Sequence, residues 1–162
     1  MRILKVTCLL LSVLLLAGVV PALAQGPPPY GPNVTLDQAK KALAGAEAEA
    51  KKNNWPVVVT VVDTGGNVVL VARLDNAQFG SIEVARQKAW SAVAYRRPTK
   101  VWEDLVAQGG ANLRLLKLEG AVPIDGGLPI AVDGKIVGGI GVSGVTGAQD
   151  AQIARAGVDA LK

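Results

Sequence analysis

The 162-residue chain contains no histidine, one cysteine, one methionine, three tryptophans, two tyrosines and one phenylalanine. The cysteine and the methionine are Cys8 and Met1, and both lie in an N-terminal segment that we expect to be removed. The remaining chain then cannot form a disulfide or a zinc site of histidine and cysteine ligands. It also cannot carry a Ser-His-Asp or Cys-His catalytic centre.

A secretory signal peptide is predicted over residues 1–24. Two basic residues precede an apolar run over 6–20, and an Ala-Leu-Ala cleavage site ends at Ala24. An uncleaved membrane anchor is the alternative, but the apolar run is short for a span. We therefore expect an exported protein, periplasmic or extracellular, that begins at Gln25 and has no stable membrane span.

The charge of the mature chain is nearly balanced. Removal of Arg2 and Lys5 lowers the 17 basic residues to 15, against 13 acidic ones, so the net charge falls from +4 to +2. Nucleic-acid-binding domains usually carry a basic patch or stripe. The one dense basic stretch here is Arg96-Arg97-Pro98-Thr99-Lys100. Nucleic acid is therefore not predicted as a partner.

After the signal peptide, the chain divides into a tether and one domain. Residues 25–34 are rich in proline and glycine, and we expect them to form an extended tether outside the core. Residues 35–162 have the length of a single domain that can bury one hydrophobic core.

Local signals predict the element order α-β-β-α-α-β-β-α. Capping boxes at Thr35 and Thr146 mark the first and last helices, and the β-branched run 57–62 predicts a strand covered on both faces. Asp133-Gly134 between two apolar runs predicts a hairpin. The order indicates an α+β single-domain sandwich, an antiparallel sheet of about five strands packed with helices. Residues 111–124 are ambiguous, and an extra strand near 111–118 is possible.

The second helix is expected to start at a Ser81 cap and to end at Arg97-Pro98, because a residue before proline avoids helical geometry. Thr99 can cap a short third helix. Apolar stripes are predicted on three helices. Their members are Leu36, Ala39, Leu43, Ala46 and Ala50; Ile82, Ala85, Ala89 and Val93; and Ala151, Ala154, Val158 and Leu161.

Gly139-Ile-Gly-Val-Ser-Gly144 matches the GxGxxG pattern of dinucleotide-binding turns. That pattern requires a strand, a turn, a helix and a second parallel strand. Here the glycines lie in the second arm of a hairpin, and too few residues follow for another strand. NAD binding is therefore not predicted. Glycine in a strand allows the close approach of a backbone, a helix or a ligand, and packing of an alanine-lined helix is the leading explanation.

Several motifs together resemble the GlcG/HbpS family of heme-binding proteins, which is similar to the C-terminal domain of PduO-type proteins. They are V-V-D-x-G-G, A-x-x-K-A, R-R-P-T, G-G-L-P-I, a D-G hairpin and G-V-S-G-x-x-x-x-Q-D, in that order. The resemblance extends from Leu36 to Leu161. It implies an α/β sandwich, assembly into a homo-oligomer, and binding of heme or a related tetrapyrrole.

If the protein binds heme, the candidate contact residues lie within the region 88–100. Arg96, Arg97 and Lys100 could pair with heme propionates, since arginine binds carboxylates through two parallel hydrogen bonds. The alternative is a solvated helix end. For iron, which proteins usually hold through His, Cys, Met or Tyr, the candidates are Tyr95, Thr99, Lys88 or a water.

Lys88 and the tryptophans each have both a structural and a binding interpretation. Lys88 either contacts a ligand anion or, as we favour, forms a salt bridge with Asp63, Asp125 or Asp150. The tryptophans could stack on a macrocycle, but tryptophan is more often core or interface. Trp90 is offset from its helix's apolar stripe and is therefore a candidate contact for a ligand or a subunit.

The hypothesis favoured by the sequence is an exported heme- or tetrapyrrole-binding protein that acts in binding, storage or sensing and is not an enzyme. The alternative is an oligomeric scaffold, or a module that binds another small anionic ligand and not heme. Enzymatic acid-base chemistry by carboxylates and Lys88 is the third hypothesis, and no motif places such a pair.

Overall fold

Helices and strands occupy most of residues 26–162, which are the residues that the computed structural model describes. The predicted signal peptide over 1–24 lies outside them. The elements are α1 (Leu36–Lys52), β1 (Val58–Asp63), β2 (Val68–Arg73), α2 (Ser81–Ala94), α3 (Lys100–Ala107), β3 (Gly127–Val132), β4 (Lys135–Ser143) and α4 (Gly147–Asp159). A 3₁₀ helix over Gly110–Lys117 lies between α3 and β3.

The four strands form one antiparallel sheet in the order β2-β1-β4-β3. The predicted α+β class and the predicted element order are confirmed. Five of the six β1 residues are buried, as expected for a central strand covered on both faces. β2 is an edge strand whose residues are half-buried or exposed.

The main core lies between one face of the sheet and the helix pair α1 and α4. Alanines of α1 pack there against Val59 and Val61 of β1 and against Ile153 of α4. The opposite face of β1 carries Val58 and Val62, which pack against α2. Burial of each large aliphatic side chain contributes about 1.5–3 kcal/mol to folding.

The glycines of the GxGxxG match allow α2 to pack directly on β4. A Cβ atom at Gly139 would lie 2.6 Å from the Ala89 carbonyl oxygen, and one at Gly141 would collide with the Ala85 carbonyl oxygen. The predicted packing of an alanine-lined helix is therefore confirmed for these two positions.

The sheet has four strands where about five were expected. Residues near 111–118 form the 3₁₀ helix, with Leu113 and Leu116 about half exposed. The predicted extra strand is wrong because these leucines lack the alternation that gives a strand one buried face.

Of the four helix caps predicted from the sequence, two are present and two are not. Both capping boxes are present, with Thr35 and Thr146 accepting from the backbone three residues on. Ser81 does not cap α2; it lies inside the helix, and its hydroxyl meets that of Ser143 at 3.1 Å. Thr99 precedes α3, but its side chain does not cap it.

Most alanines of the apolar stripes are buried, whereas Leu43, Val158 and Leu161 are half-buried against the core. Leu36 is 50% exposed and Ile82 is 41% exposed, so both were wrongly predicted as buried. Each lies in the first turn of its helix.

The proline- and glycine-rich segment is attached to the domain along β4, contrary to the expected tether outside the core. Val34 is buried, and its N–H donates to the Val137 carbonyl at 2.7 Å. The Ile136 N–H donates to the Pro29 carbonyl at 2.8 Å. The prediction failed because β4 extends beyond β1 and leaves backbone groups that this segment satisfies.

Over residues 26–162, no helix combines the length and the apolar character needed to cross a membrane.

Candidate functional site

A groove of about 590 Å³ lies between α2 and the segment that follows the 3₁₀ helix. Arg86, Gln87 and Trp90 of α2 form one wall, and residues 116–122 form the other. Leu116 and Leu118 line it and are 56% and 40% exposed. The groove therefore combines an indole, exposed aliphatic side chains and basic groups, and its volume is within the range of small-molecule sites.

Two glycines hold the Trp90 indole in the groove wall. A Cβ atom at Gly66 would lie 2.6 Å from the indole nitrogen, and one at Gly120 would collide with the six-membered ring. Both glycines have positive φ, which other residues rarely adopt. The indole is thus clamped between the β1–β2 turn and the loop after the 3₁₀ helix. This confirms the sequence indication that Trp90 lies off the buried stripe.

Tyr95 joins the two walls. Its hydroxyl donates to the Glu119 carbonyl oxygen, and its ring packs edge-on to Trp90, with centroids 6.3 Å apart. Trp102 packs edge-on against the other side of Tyr95 at 5.2 Å. Because this hydroxyl already holds the loop, Tyr95 acts as a support for the groove.

The predicted propionate-binding cations lie on the surface beside this aromatic cluster. The Arg97 guanidinium lies over the Trp102 ring at 4.9 Å, and that of Arg96 lies over the Tyr30 ring at 5.6 Å. Lys100 pairs with Asp104 and, at 3.6 Å, with Glu103. The structure thus gives each cation a π or carboxylate partner, and none of them is among the residues that line the groove.

Lys88 and Thr99 are buried in the interior. The Lys88 ammonium donates to the Asp150 carboxylate at 2.8 Å and to the Val142 carbonyl at 3.0 Å. Of the three carboxylates proposed from the sequence, Asp150 is therefore the partner. The Thr99 hydroxyl accepts from the Gly127 N–H at 2.9 Å. Lys88 thus links α2 to β4 and to the first turn of α4, and Thr99 links the residue before α3 to the start of β3.

Burial perturbs two carboxyl groups next to this ion pair. Desolvation raises the pKa of Asp150 above its usual range, and the hydrogen bond from Lys88 offsets this only in part. Desolvation also raises the pKa of Asp125, with the hydrogen bond from the Gly126 N–H opposing it. The Asp125 N–H donates to the Glu103 carboxylate at 2.8 Å.

Lys117 is the basic residue of the groove without an ion-pair partner among the described residues. The other, Arg86, donates two hydrogen bonds to Glu83, and these lower the pKa of that carboxyl to about 2. The sequence analysis missed Lys117 and Leu116 because the period of residues 111–124 was ambiguous.

A second cavity of about 620 Å³ lies at the C-terminal ends of α1 and β2. Glu47 and Asp75 are on its wall, and Lys51 there is paired with Glu47 at 2.9 Å. Its two carboxylates balance Lys51 and Arg73, whereas the groove carries Arg86 and Lys117 against one carboxylate, which makes the groove the better site for an anionic ligand. Across residues 26–162, no cluster of three or more His, Cys, Asp or Glu side chains could hold a metal ion.

Comparison with known proteins identifies the family. The profile of the family described as "Haem degrading protein HbpS-like" matches residues 34–159. The chain is 39% identical to protein GlcG of Escherichia coli K12 over 110 residues, which are 68% of this chain and 81% of GlcG.

Two crystal structures resemble the described fold. One is a double mutant of Streptomyces reticuli HbpS, with a TM-score of 0.74, 35% identity and coverage of 88% of this chain and 97% of that one. The other is a PduOC:heme complex, with a TM-score of 0.71, 32% identity and coverage of 79% and 94%.

The expectation that the protein is not an enzyme needs correction. The chain is 36% identical over 118 residues to the corrinoid adenosyltransferase PduO of Salmonella typhimurium, which is an enzyme. The match covers 72% of this chain and 35% of PduO, so the chain spans about a third of that relative. The absence of histidine, and of any cysteine after Cys8, excludes particular catalytic centres and not catalysis as a whole.

Proposed function

This chain belongs to the HbpS-like family, and from that membership we propose that it binds heme or a related tetrapyrrole in the Trp90 groove. The observation that carries the proposal is the likeness to the PduOC:heme complex at 32% identity over 79% of the chain. The groove supplies what the organic part of heme requires: Trp90, Leu116 and Leu118 for the macrocycle, and Lys117 for a carboxylate.

Titration of the purified protein with hemin tests this proposal. We expect a shifted Soret band and quenching of tryptophan fluorescence that saturate together. Leu116→Asp, which places a carboxylate in the groove, should raise the Kd about tenfold. Leu113→Asp is the matched control, because Leu113 is similarly exposed on the same 3₁₀ helix but does not line the groove. Unchanged spectra with excess hemin would contradict heme binding and favour the scaffold alternative.

Heme degradation is a second candidate function, and the description of the matched family favours it. Hemin-loaded protein would be incubated with peroxide or with ascorbate in air, and loss of the Soret band followed. Loss faster than for free hemin, and slowed in Leu116→Asp, would support turnover at the groove. Equal rates with and without protein would exclude it.

We also propose export and self-assembly. Export rests on the signal-peptide features of residues 1–24. In cell fractions, mature protein beginning at Gln25 is expected, and replacing Ala22 and Ala24 by leucine should block processing, whereas Ala17→Leu should not. Self-assembly is supported by Phe79 and Ile82, two apolar side chains three positions apart that are 80% and 41% exposed. Light scattering should show a mass above that of one chain, reduced in Phe79→Asp.

A further inference from the structure

The groove offers poor ligands for the iron of heme. Heme proteins hold iron through His, Cys, Met or Tyr. The chain has no histidine, and Cys8 and Met1 lie within the segment whose removal we propose. The Tyr95 hydroxyl donates to the Glu119 carbonyl, and that of Tyr30 donates to the Val93 carbonyl at 2.8 Å. Both phenols are therefore engaged in the folded domain.

The other two side chains considered as iron ligands from the sequence are also occupied. Lys88 is 1% exposed and its ammonium is held by Asp150 and by the Val142 carbonyl. Thr99 is fully buried, and its hydroxyl accepts from the Gly127 N–H. On the groove wall, Lys117 as an ammonium has no lone pair, which leaves the exposed carboxylate of Glu119. A carboxylate is not among the side chains through which heme proteins usually hold iron, so the residues present fit the macrocycle and a propionate better than they fit the iron.

We propose that the groove recognises the planar, carboxylate-bearing tetrapyrrole itself and is indifferent to its central metal. This inference rests on the proposed function and defines its ligand class. Contact with Trp90, Leu116 and Leu118 depends on the flat apolar macrocycle, and pairing with Lys117 depends on a propionate. None of these four contacts involves the metal. Metal-free and zinc porphyrins should therefore bind about as well as hemin.

Parallel titrations with hemin, zinc protoporphyrin IX and metal-free protoporphyrin IX test the inference. We expect the three Kd values to agree within about threefold. Hemin binding at least tenfold tighter than both others would overturn the inference and leave heme binding intact. Failure of all three to bind would instead contradict the proposed function.

Substitutions on the groove wall separate carboxylate recognition from iron coordination. Lys117→Gln should weaken all three porphyrins by a similar factor, about five- to tenfold, and should not change binding of the metal-free dimethyl ester. Arg114→Gln is the matched control, a basic residue on the same 3₁₀ helix that does not line the groove. Glu119→Gln should not weaken hemin binding. A loss confined to hemin in either groove variant would show an iron ligand and overturn the inference.

Discussion

At the scale of single residues, the burial of charged side chains is the main constraint on this domain. Lys88 is an ammonium inside a hydrophobic interior, and it is tolerated because a carboxylate and a backbone carbonyl accept its hydrogen bonds. A mid-helix lysine beside an apolar stripe predicted either a salt bridge or a ligand contact. The structure assigns it to the salt bridge.

Removal of one partner of the buried pair should be strongly destabilising. Asp150→Ala leaves the Lys88 charge unpaired in the interior, and we expect the free energy of unfolding to fall by about 3–5 kcal/mol. Lys88→Met combined with Asp150→Leu removes both charges and should recover most of this loss. Denaturant unfolding measures both variants, with Asp159→Asn, an exposed partner of Lys162, expected to behave as wild type. If the double variant were as unstable as Asp150→Ala, packing and not charge would be the cause.

The buried Asp125 carboxyl should make stability fall as pH rises. Its folded pKa is raised by desolvation, so between the unfolded value near 3.8 and the higher folded value the native state binds more protons than the unfolded state. The contribution of Asp125 is therefore present below pH 3.8 and is lost as pH rises through the folded pKa. The free energy of unfolding should therefore decrease less with rising pH in Asp125→Asn than in the wild type.

The pKa of Asp63 is shifted in the direction opposite to that of Asp125, so its effect on stability has the opposite pH dependence. Burial acts to raise its pKa, but hydrogen bonds from Asn67, Gly65 and Gly66 outweigh burial and lower the pKa. Its contribution is present above pH 3.8 and is lost as pH falls through the lower, folded pKa. Identical pH slopes in Asp63→Asn and Asp125→Asn would contradict both assignments.

At the level of elements, the contact between α2 and β4 determines how closely the layers pack. Glycines at alternate β4 positions place the helix backbone against the sheet without intervening side chains. The same contact positions Trp90 and Lys88, which project from α2 to the groove and to the interior. Gly139 and Gly141 of the GxGxxG match therefore serve to pack α2 closely on β4.

Gly141→Ala should disturb this contact. The added Cβ would lie 2.5 Å from the Ala89 nitrogen and would also meet the Ala85 carbonyl, both of them backbone atoms that cannot rotate away. We expect a loss of about 1–3 kcal/mol or more in unfolding free energy. Gly80→Ala is the control, since nothing lies within 4 Å of its Cβ position and its φ is −60°. A Gly141→Ala variant as stable as wild type would show that α2 shifts freely.

For the whole molecule, a ligand that binds only the folded state must stabilise it by mass action. At a hemin concentration 100-fold above the Kd, the free energy of unfolding should rise by about 2.7 kcal/mol. Thermal unfolding with and without hemin measures this as an increase in Tm. Leu116→Asp should need more hemin for the same increase, and Leu113→Asp should not. An unchanged Tm at saturating hemin would be inconsistent with binding to the native state.

Features that depend only on neighbouring residues could be predicted before the fold was known. These are the two capping boxes, the Asp133-Gly134 hairpin, the central β-branched strand and the exclusion of histidine chemistry. The 3₁₀ helix, the docking of residues 29–34 and the groove could not be predicted in this way. Lys88 meets Asp150 across 62 positions and Tyr95 meets Glu119 across 24. Such pairs are set by sheet register and helix packing, which no local pattern encodes.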